Sequence, residues 1–193
     1  MSRSVACLQR DEFDIESPPL RPERGPNGRG NLARGIVDFE GLQSDEIQRL
    51  KGTDTSKKPP FSVTKIGHVV FNVTDIERSL DFYTRVLGFE VSDVYPDSMM
   101  PGRMIFLRFN PDHHGIALVG NAAAESNSTE LHHMAFEVAT LDEVFHARNH
   151  LEDYGVKIAF EGRRRAGAQI ALEFSDPDGH RLEIYWGLDQ VPL

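Results

Sequence analysis

Two stretches of this chain repeat one another, and the repeat limits the folds that the chain can adopt. Residues 66–73 read Ile-Gly-His-Val-Val-Phe-Asn-Val and residues 131–138 read Leu-His-His-Met-Ala-Phe-Glu-Val, which places His68 and His133 at matching positions 65 residues apart. Side chains alternate between the two faces of a strand. Each stretch is therefore predicted to be a strand with an apolar face toward a core and one histidine on the opposite face.

The repeat continues beyond these two strands. Each is followed by Thr-x-x-Glu, beginning at Thr74 and at Thr140, which is typical of a helix N-terminus, and each expected helix ends at a glycine. Three strands are expected after each helix, at 89–94, 104–109 and 115–119 in the first copy and at 156–160, 169–174 and 181–186 in the second. The pattern predicts an α+β protein with two tandem βαβββ modules, residues 62–120 and 130–187, that form one paired, cup-shaped mixed sheet.

Residues 1–60 are interpreted as an N-terminal extension and linker, and residues 61–193 as the domain. Proline and glycine interrupt the first segment, although a short helix is expected after Ser44. The net charge of −9 falls entirely within residues 61–193, which hold 11 Lys and Arg against 20 Asp and Glu. Because an acidic domain is a poor match for nucleic acid or anionic lipid, neither nucleic acid nor a membrane is expected as a partner.

Cysteine content and hydropathy indicate a cytoplasmic location. Cys7 is the only cysteine, which excludes an intrachain disulfide and a metal site built from several thiolates. No apolar run approaches the ~18 residues that span a bilayer, and the first residues lack the apolar length expected of a secretory signal. The one basic run, Arg163-Arg164-Arg165, is interpreted either as a solvated loop or as an anchor for one anionic substrate group.

Three residues on the faces opposite the core predict a metal site. Glu183 is the third residue of this set, besides His68 and His133. The strand at 181–186 turns Leu182 and Ile184 toward the core and Glu183 away from it. Two imidazoles and one carboxylate form the facial triad that suits Fe(II) or Mn(II) and leaves several coordination positions open. The alternative is three unrelated polar residues, but their matching strand positions favour a shared site.

The chain resembles the vicinal oxygen chelate superfamily in three segments. These are Gly-His-Val-Val-Phe-Asn-Val at 67–73, His-His-Met-Ala-Phe-Glu-Val at 132–138 and Asp-Pro-Asp-Gly-His-Arg-Leu-Glu-Ile-Tyr at 176–185. The superfamily includes glyoxalases, epimerases, thiol transferases, extradiol dioxygenases and drug-sequestering proteins. The resemblance covers about residues 62–187 and implies paired βαβββ modules with a metal at their centre. It also implies that His68, His133 and Glu183 are the metal ligands.

Within the superfamily, the chain is most similar to the type I extradiol ring-cleavage dioxygenases. Isomerases and epimerases usually have a fourth protein ligand where this chain has Ala117, which cannot bind a metal. The segment 108–118 resembles the extradiol segment in which a histidine three residues before that position stands beside bound dioxygen. The resemblance therefore implies that His114 is the acid/base residue, a role that suits imidazole. Strict strand alternation favours His113 instead, which is retained as a substitute.

Glu173 departs from this resemblance. Ring-cleaving relatives usually have a tyrosine ten residues before the carboxylate ligand, where this chain has Glu173. A glutamate can accept a hydrogen bond or a proton, but it does not reproduce a neutral phenol donor. Glu173 is retained as a candidate catalytic residue. The alternatives are that it signals a different substrate or reaction, or that it is a solvated strand residue.

The sequence thus predicts a metal-dependent extradiol-type dioxygenase that cleaves a catechol-like aromatic diol with O₂. Fe(II) is the expected cofactor, with Mn(II) or another divalent metal as alternatives. A homo-oligomer is expected, because loops, the N-terminal extension or a second subunit would have to complete the substrate pocket. Two alternatives stay open: a metal-dependent glyoxalase, epimerase or lyase that acts through an enediolate with Glu173 as base, and a non-enzymatic ligand-binding module of the same fold.

Overall fold

A computed structural model describes residues 38–57, 59–164 and 166–191. Most of the predicted N-terminal extension, including Cys7, lies outside the described residues. The described part begins with a 3₁₀ turn, Gly41–Gln43, that leads into helix α1, Asp45–Lys51. Ser44 is the N-cap of α1, as predicted, and its hydroxyl accepts a hydrogen bond from the backbone N–H of Ile47.

The two repeats of the sequence fold into two modules with the same order of elements. The first consists of β1 (Val69–Asn72), α2 (Ile76–Asp81) continuing as a π-helical segment (Phe82–Val86), β2 (Glu90–Tyr95), β3 (Met104–Arg108) and β4 (Ile116–Val119). The second consists of β5 (Met134–Glu137), α3 (Leu141–Asp153), β6 (Phe160–Arg163), a 3₁₀ turn (Ala166–Ala168), β7 (Ile170–Ser175) and β8 (Arg181–Trp186). Each module is therefore βαβββ, as predicted.

Each module contributes one four-stranded mixed sheet. The strand orders are β1-β4-β3-β2 and β5-β8-β7-β6, so the two sheets have the same topology. The first and last strands of each module run parallel to one another, whereas the remaining neighbours are antiparallel. This arrangement confirms the predicted α+β architecture with two βαβββ modules. No helix in the described part of the chain is long and apolar enough to cross a membrane.

Several predicted strand boundaries are wrong. β1 begins at Val69 and β5 at Met134, so His68 and His133 each lie one residue before a strand instead of within it. The strand predicted at 156–160 is also wrong, because β6 runs from Phe160 to Arg163. Val156 is instead buried in the core ahead of the strand, which accounts for the apolar pattern that suggested a strand there.

Of the two predicted Thr-x-x-Glu capping boxes, one is confirmed and the other is wrong. Thr140 and Glu143 form the complete capping box at the start of α3. At α2, however, the N-cap is Asp75, whose carboxylate accepts hydrogen bonds from the backbone N–H groups of Glu77 and Arg78. The Thr74 hydroxyl instead donates to Asp178 at 2.6 Å. A partner 104 residues away in the chain thus replaces the local bond that the sequence pattern suggested.

The two modules share one core and a buried polar contact at the turn between β7 and β8. The core cluster contains residues of both, among them Phe71, Tyr83 and Leu118 of the first and Leu151, Phe174 and Leu182 of the second. Two fully buried carboxylates, Asp176 and Asp178, lie in the turn between β7 and β8 and bind α2 and its extension. Asp178 accepts from the Ser79 hydroxyl at 2.9 Å, and the Tyr83 hydroxyl donates to Asp176 at 3.0 Å. This contact fixes the first module against the second.

Candidate metal centre

The first half of the candidate site lies on the non-core face of the first sheet. Val70 on β1 is aligned with Ala117 on β4, and Ala117 is aligned with Phe106 on β3. Strand alternation places His68, two residues before Val70, on this same face. The centroid of the His68 ring lies 4.6 Å from that of His114, which precedes β4. The first sheet therefore brings together two imidazoles beside an alanine that offers no ligand atom.

His114 lies among an aromatic ring and two other imidazoles. Its ring lies 5.0 Å from the Phe106 ring, edge to face, and its Nδ1 lies 3.0 Å from Nδ1 of His113. Phe106 is buried, and its ring contacts this candidate site residue. Burial and the nearby charges of His68 and His113 lower the pKa of His114, which favours its neutral form. A neutral imidazole can accept a proton.

The second half of the site is built around Glu183 on β8. Glu183 is aligned with Ala135 on the parallel strand β5, and its side chain is almost completely buried, with 1% of the residue exposed. His133, which precedes β5, places its Nε2 3.9 Å from Oε2 of Glu183. The Gln169 amide donates a hydrogen bond to the other carboxylate oxygen. Parallel pairing of β5 and β8 thus juxtaposes an imidazole with a buried, oriented carboxylate.

Burial raises the pKa of Glu183, an effect that the charge of Arg164 and the hydrogen bond from Gln169 only partly offset. A buried carboxylate is costly to ionise unless a cation lies beside it. A divalent metal would supply that charge, and imidazole with carboxylate is a donor set that such ions accept. The chemistry of the residues present therefore fits a bound metal at Glu183 and His133.

An ion pair lies on the same face as Glu183, one strand away. Glu173 on β7 is aligned with Glu183 on one side and with Phe160 of β6 on the other. The guanidinium of Arg164 pairs with the Glu173 carboxylate, and its central carbon lies 3.6 Å from the centroid of the Phe160 ring. Glu173 is largely buried and ion-paired, so the interpretation of it as a solvated strand residue is wrong.

The structure brings the candidate residues together as two pairs, His68 with His114 and His133 with Glu183. It does not unite them: within residues 38–57, 59–164 and 166–191, no three His, Cys, Asp or Glu side chains form a group that could hold a metal ion. The assignment of His68, His133 and Glu183 as a shared ligand set therefore stays a prediction, as do the catalytic roles of His113, His114 and Glu173.

Sequence reasoning missed two contributions to this region. Gln169 orients Glu183, but a lone glutamine before a strand carries no motif that could have revealed it. Arg164 belongs to a noted basic run, but its contact with Glu173 depends on the position of β6, which was predicted incorrectly. His132, the neighbour of His133 in the chain, is exposed, and its Nδ1 lies 2.7 Å from Nδ1 of His133.

The chain is similar in sequence to known enzymes. The chain is 35% identical over 129 residues to biphenyl-2,3-diol 1,2-dioxygenase of Paraburkholderia xenovorans, an alignment that covers 65% of this chain and 42% of that protein. It is 29% identical over 126 residues to metallothiol transferase FosB of Bacillus licheniformis, covering 63% of this chain and 75% of that one. The chain thus spans less than half the length of the dioxygenase that it matches.

Structural comparison agrees on the fold. A crystal structure of a glyoxylase/bleomycin resistance protein/dioxygenase domain from Frankia superposes with a TM-score of 0.56 at 20% identity, covering 65% of this chain and 99% of that one. Residues 65–184 match the family described as the glyoxalase/bleomycin resistance protein/dioxygenase superfamily. The matched segment contains both βαβββ modules almost entirely and all six candidate site residues. This chain belongs to the glyoxalase/bleomycin resistance protein/dioxygenase superfamily.

Proposed function

We propose that this protein is a metal-dependent dioxygenase of the extradiol type, which cleaves the ring of a catechol-like aromatic diol with O₂. The observation that carries the proposal is the pairing of His68 with His114 on the sheet face that has Ala117 at the usual place of a fourth ligand. The relatives named as diol dioxygenases, with identities up to 35%, support this choice over other activities of the family.

His68, His133 and Glu183 would hold the metal in this proposal, and Fe(II) is the ion that best suits O₂ chemistry with two imidazoles and one carboxylate. When bound, such an ion supplies redox chemistry and open positions at which the diol and O₂ meet. Gln169 keeps the Glu183 carboxylate in one orientation, because its amide is bound to one of the two oxygens. The side chain of Ala117 has no atom that could bind a metal, so this position does not compete with the diol or O₂ for the ion.

His114 is the residue proposed to move a proton. Its Nδ1 lies close to that of His113, while its ring stands beside His68. This position suits an imidazole that takes the proton of a diol hydroxyl and returns it as the ring opens. Phe106 limits the freedom of the His114 ring by packing against it. His113 is proposed to help hold the His114 ring in position and not to transfer the proton itself.

A metal-dependent isomerase, epimerase or lyase is the second candidate, supported by the similarity to the metallothiol transferase and by Glu173 in place of the expected tyrosine. That mechanism needs Glu173 as a base. The contact of its carboxylate with the guanidinium of Arg164 disfavours this role, because the base would first have to leave a charged partner. Turnover without O₂, or a requirement for nickel, cobalt or zinc, would favour the second candidate.

The experiment that tests the proposal is a turnover assay with a panel of catechols. Protein loaded with Fe(II) under anaerobic conditions is mixed with each diol, and O₂ is then admitted while oxygen consumption and the yellow absorbance of ring-fission products are followed. The proposal expects oxygen uptake coupled to a coloured product for at least one diol. No oxygen uptake across the panel by protein that retains its iron would contradict it.

A further inference from the structure

Tyr185 lies on the sheet face that carries the candidate metal centre, two residues after Glu183 on β8. Side chains two residues apart on a strand share a face and are about 6.7 Å apart along it. β8 is an inner strand of the second sheet, with β5 on one side and β7 on the other. Because both edges of β8 are paired, the backbone that carries Tyr185 is held in a fixed position relative to Glu183.

The hydroxyl of Tyr185 makes no hydrogen bond to any residue in the part of the chain that the structure describes. Its side chain is half-buried, so part of it remains accessible to a ligand. The fully buried Tyr83 differs, because its hydroxyl donates to Asp176 at 3.0 Å. The hydroxyl of a buried tyrosine usually has a partner of this kind. Tyr185 thus presents, on the face of the candidate site, a donor that the fold itself does not use.

The neighbours of Tyr185 offer negative charge or a methyl group. Glu137 on β5 and Ala171 on β7 are aligned with it, and Glu183 precedes it on the same face. The carboxylates of Glu137 and Glu183 are close enough for their charges to act on the phenol, although neither accepts a hydrogen bond from it. Ala171 carries only a methyl group, so no larger side chain of β7 stands directly beside the Tyr185 ring.

A neutral phenol is the kind of donor that this face needs when it binds a diol. The carboxylates of Glu137, Glu173 and Glu183 lie on neighbouring strands and offer acceptors. An ionised diol oxygen is also an acceptor, so beside these groups it requires a donor or a cation. The Gln169 amide is already bound to Glu183. A tyrosine keeps its proton at neutral pH, because the ordinary pKa of a phenol is about 10.

We propose that Tyr185 is a substrate-binding residue, whose phenol donates a hydrogen bond to the diol oxygen beside Glu183 and stabilises that oxygen after it has lost its proton. The inference rests on the proposed function for the identity of the ligand as a diol. It gives the second module a donor toward the substrate, whereas His114 of the first module takes the proton. Tyr185 keeps its own proton throughout and is not a metal ligand.

The test uses 4-nitrocatechol, a diol whose visible absorbance distinguishes its neutral and ionised forms. Protein loaded with Fe(II) is titrated with this probe without O₂, which prevents turnover, and the titration is repeated over a range of pH. The wild-type protein is expected to ionise the bound probe at a lower pH than that at which the free probe ionises, because a donor favours the charged form. No binding of the probe by the wild type would overturn the inference.

Two substitutions locate the effect. Tyr185→Phe removes only the hydroxyl and is expected to weaken binding of the ionised probe about tenfold, because a hydrogen bond to a charged group is lost. The pH at which the bound probe ionises should rise by about one pH unit, since the same tenfold factor acts on the ionised form alone. Tyr154→Phe removes an equivalent hydroxyl at the end of α3, where the ring lies against His150, and should retain the wild-type values.

A purely structural role of Tyr185 predicts a different result. It would weaken binding of the neutral and ionised probe alike and would lower the affinity for Fe(II), without moving the pH at which the bound probe ionises. That outcome would overturn the inference, and so would wild-type values in Tyr185→Phe. The affinity for Fe(II), measured by calorimetry, is instead expected to stay within about twofold of the wild type in both variants.

The inference and the proposed reaction fail in different ways. If catechols are cleaved but Tyr185→Phe binds and ionises the probe as the wild type does, the inference fails and the dioxygenase assignment stands. If the ionisation of the bound probe depends on Tyr185 but no diol is cleaved, the dioxygenase assignment fails. Recognition of a diol oxygen by Tyr185 then stands alone.

Discussion

The Nε2 atom of His133 lies 3.9 Å from Oε2 of Glu183, although the two residues are 50 positions apart in the chain. Parallel pairing of β5 with β8 produces this proximity, since it aligns Ala135 with Glu183 two residues after the histidine. The Gln169 amide holds the opposite oxygen of the same carboxylate. The second module alone thus supplies an imidazole, a carboxylate and the group that orients the carboxylate.

Replacing Gln169 tests whether this orientation matters for the metal. Gln169→Ala is expected to weaken the binding of Mn(II) or Fe(II) by roughly 10–100-fold, as is typical when a partner of a ligating carboxylate is lost. Metal titration monitored by calorimetry measures the change. Gln190→Ala is the matched control, because Gln190 is exposed and its amide donates to the backbone carbonyl of Leu188. Equal affinities for wild type and Gln169→Ala would contradict the proposed role.

The contact between modules predicts a loss of stability in Asp178→Asn. The buried Asp178 carboxylate accepts three hydrogen bonds, from the backbone and hydroxyl of Thr74 and from the hydroxyl of Ser79. Weakening a buried, charge-assisted set of this kind should lower the free energy of unfolding by about 1–3 kcal/mol, measured by denaturant titration. Asp81→Asn, which removes an exposed ion pair with Arg85, should cost much less. A similar decrease in the free energy of unfolding in both variants would contradict a stabilising role for the contact at Asp178.

The lowered pKa of Asp178 should also make the free energy of unfolding depend on pH. Burial opposes ionisation of Asp178, but hydrogen bonds from Thr74 and Ser79 and the charge of Arg78 outweigh it and lower its pKa in the folded protein. A lowered pKa stabilises the fold above the unfolded value of about 3.9, and this stabilisation is lost as the pH falls through the folded pKa. The difference in unfolding free energy between wild type and Asp178→Asn should therefore be constant above about pH 5 and shrink below pH 4. A difference that grows on acidification would contradict this sign.

The parts of the fold that follow from local periodicity could be predicted from the sequence. The repeat of strand, helix and three strands, the capping box at Thr140 and the position of Glu183 on the non-core face all depend on residues near one another in the chain. The cap predicted at Thr74 was wrong because a distant carboxylate, Asp178, competes for its hydroxyl. The hydrogen bond between Thr74 and Asp178 joins residues far apart in the sequence, and a local sequence pattern cannot indicate such a bond.

The electrostatic partners in the site could not be predicted for a related reason. The pairing of Arg164 with Glu173 requires β6 to begin at Phe160, whereas the apolar residues from Val156 suggested an earlier strand. A shift of strand position changes which side chains meet across the sheet. The sequence therefore singled out Glu173 only because a glutamate stands where a tyrosine is expected. Its ion pair with Arg164 was not predicted.

His114 is expected to be required for turnover but not for metal binding. His114→Ala should lower the rate of ring cleavage by about 10²–10⁴-fold, as is typical for the loss of an acid/base residue, while the bound iron remains. Oxygen consumption by iron-loaded protein measures the rate. His113→Ala is the neighbouring control and should have a smaller effect, since the ring that stands beside His68 is that of His114. Loss of iron in His114→Ala would mean that it is a ligand.

Ligands from both modules are proposed to hold one metal ion. The most direct measurement is the iron bound per chain, by elemental analysis, in wild type, His68→Ala and His146→Ala after anaerobic loading. His146 is an exposed histidine on α3 and serves as the control. We expect one iron per chain in wild type and His146→Ala and essentially none in His68→Ala. Full iron content in His68→Ala would contradict a site shared between the modules.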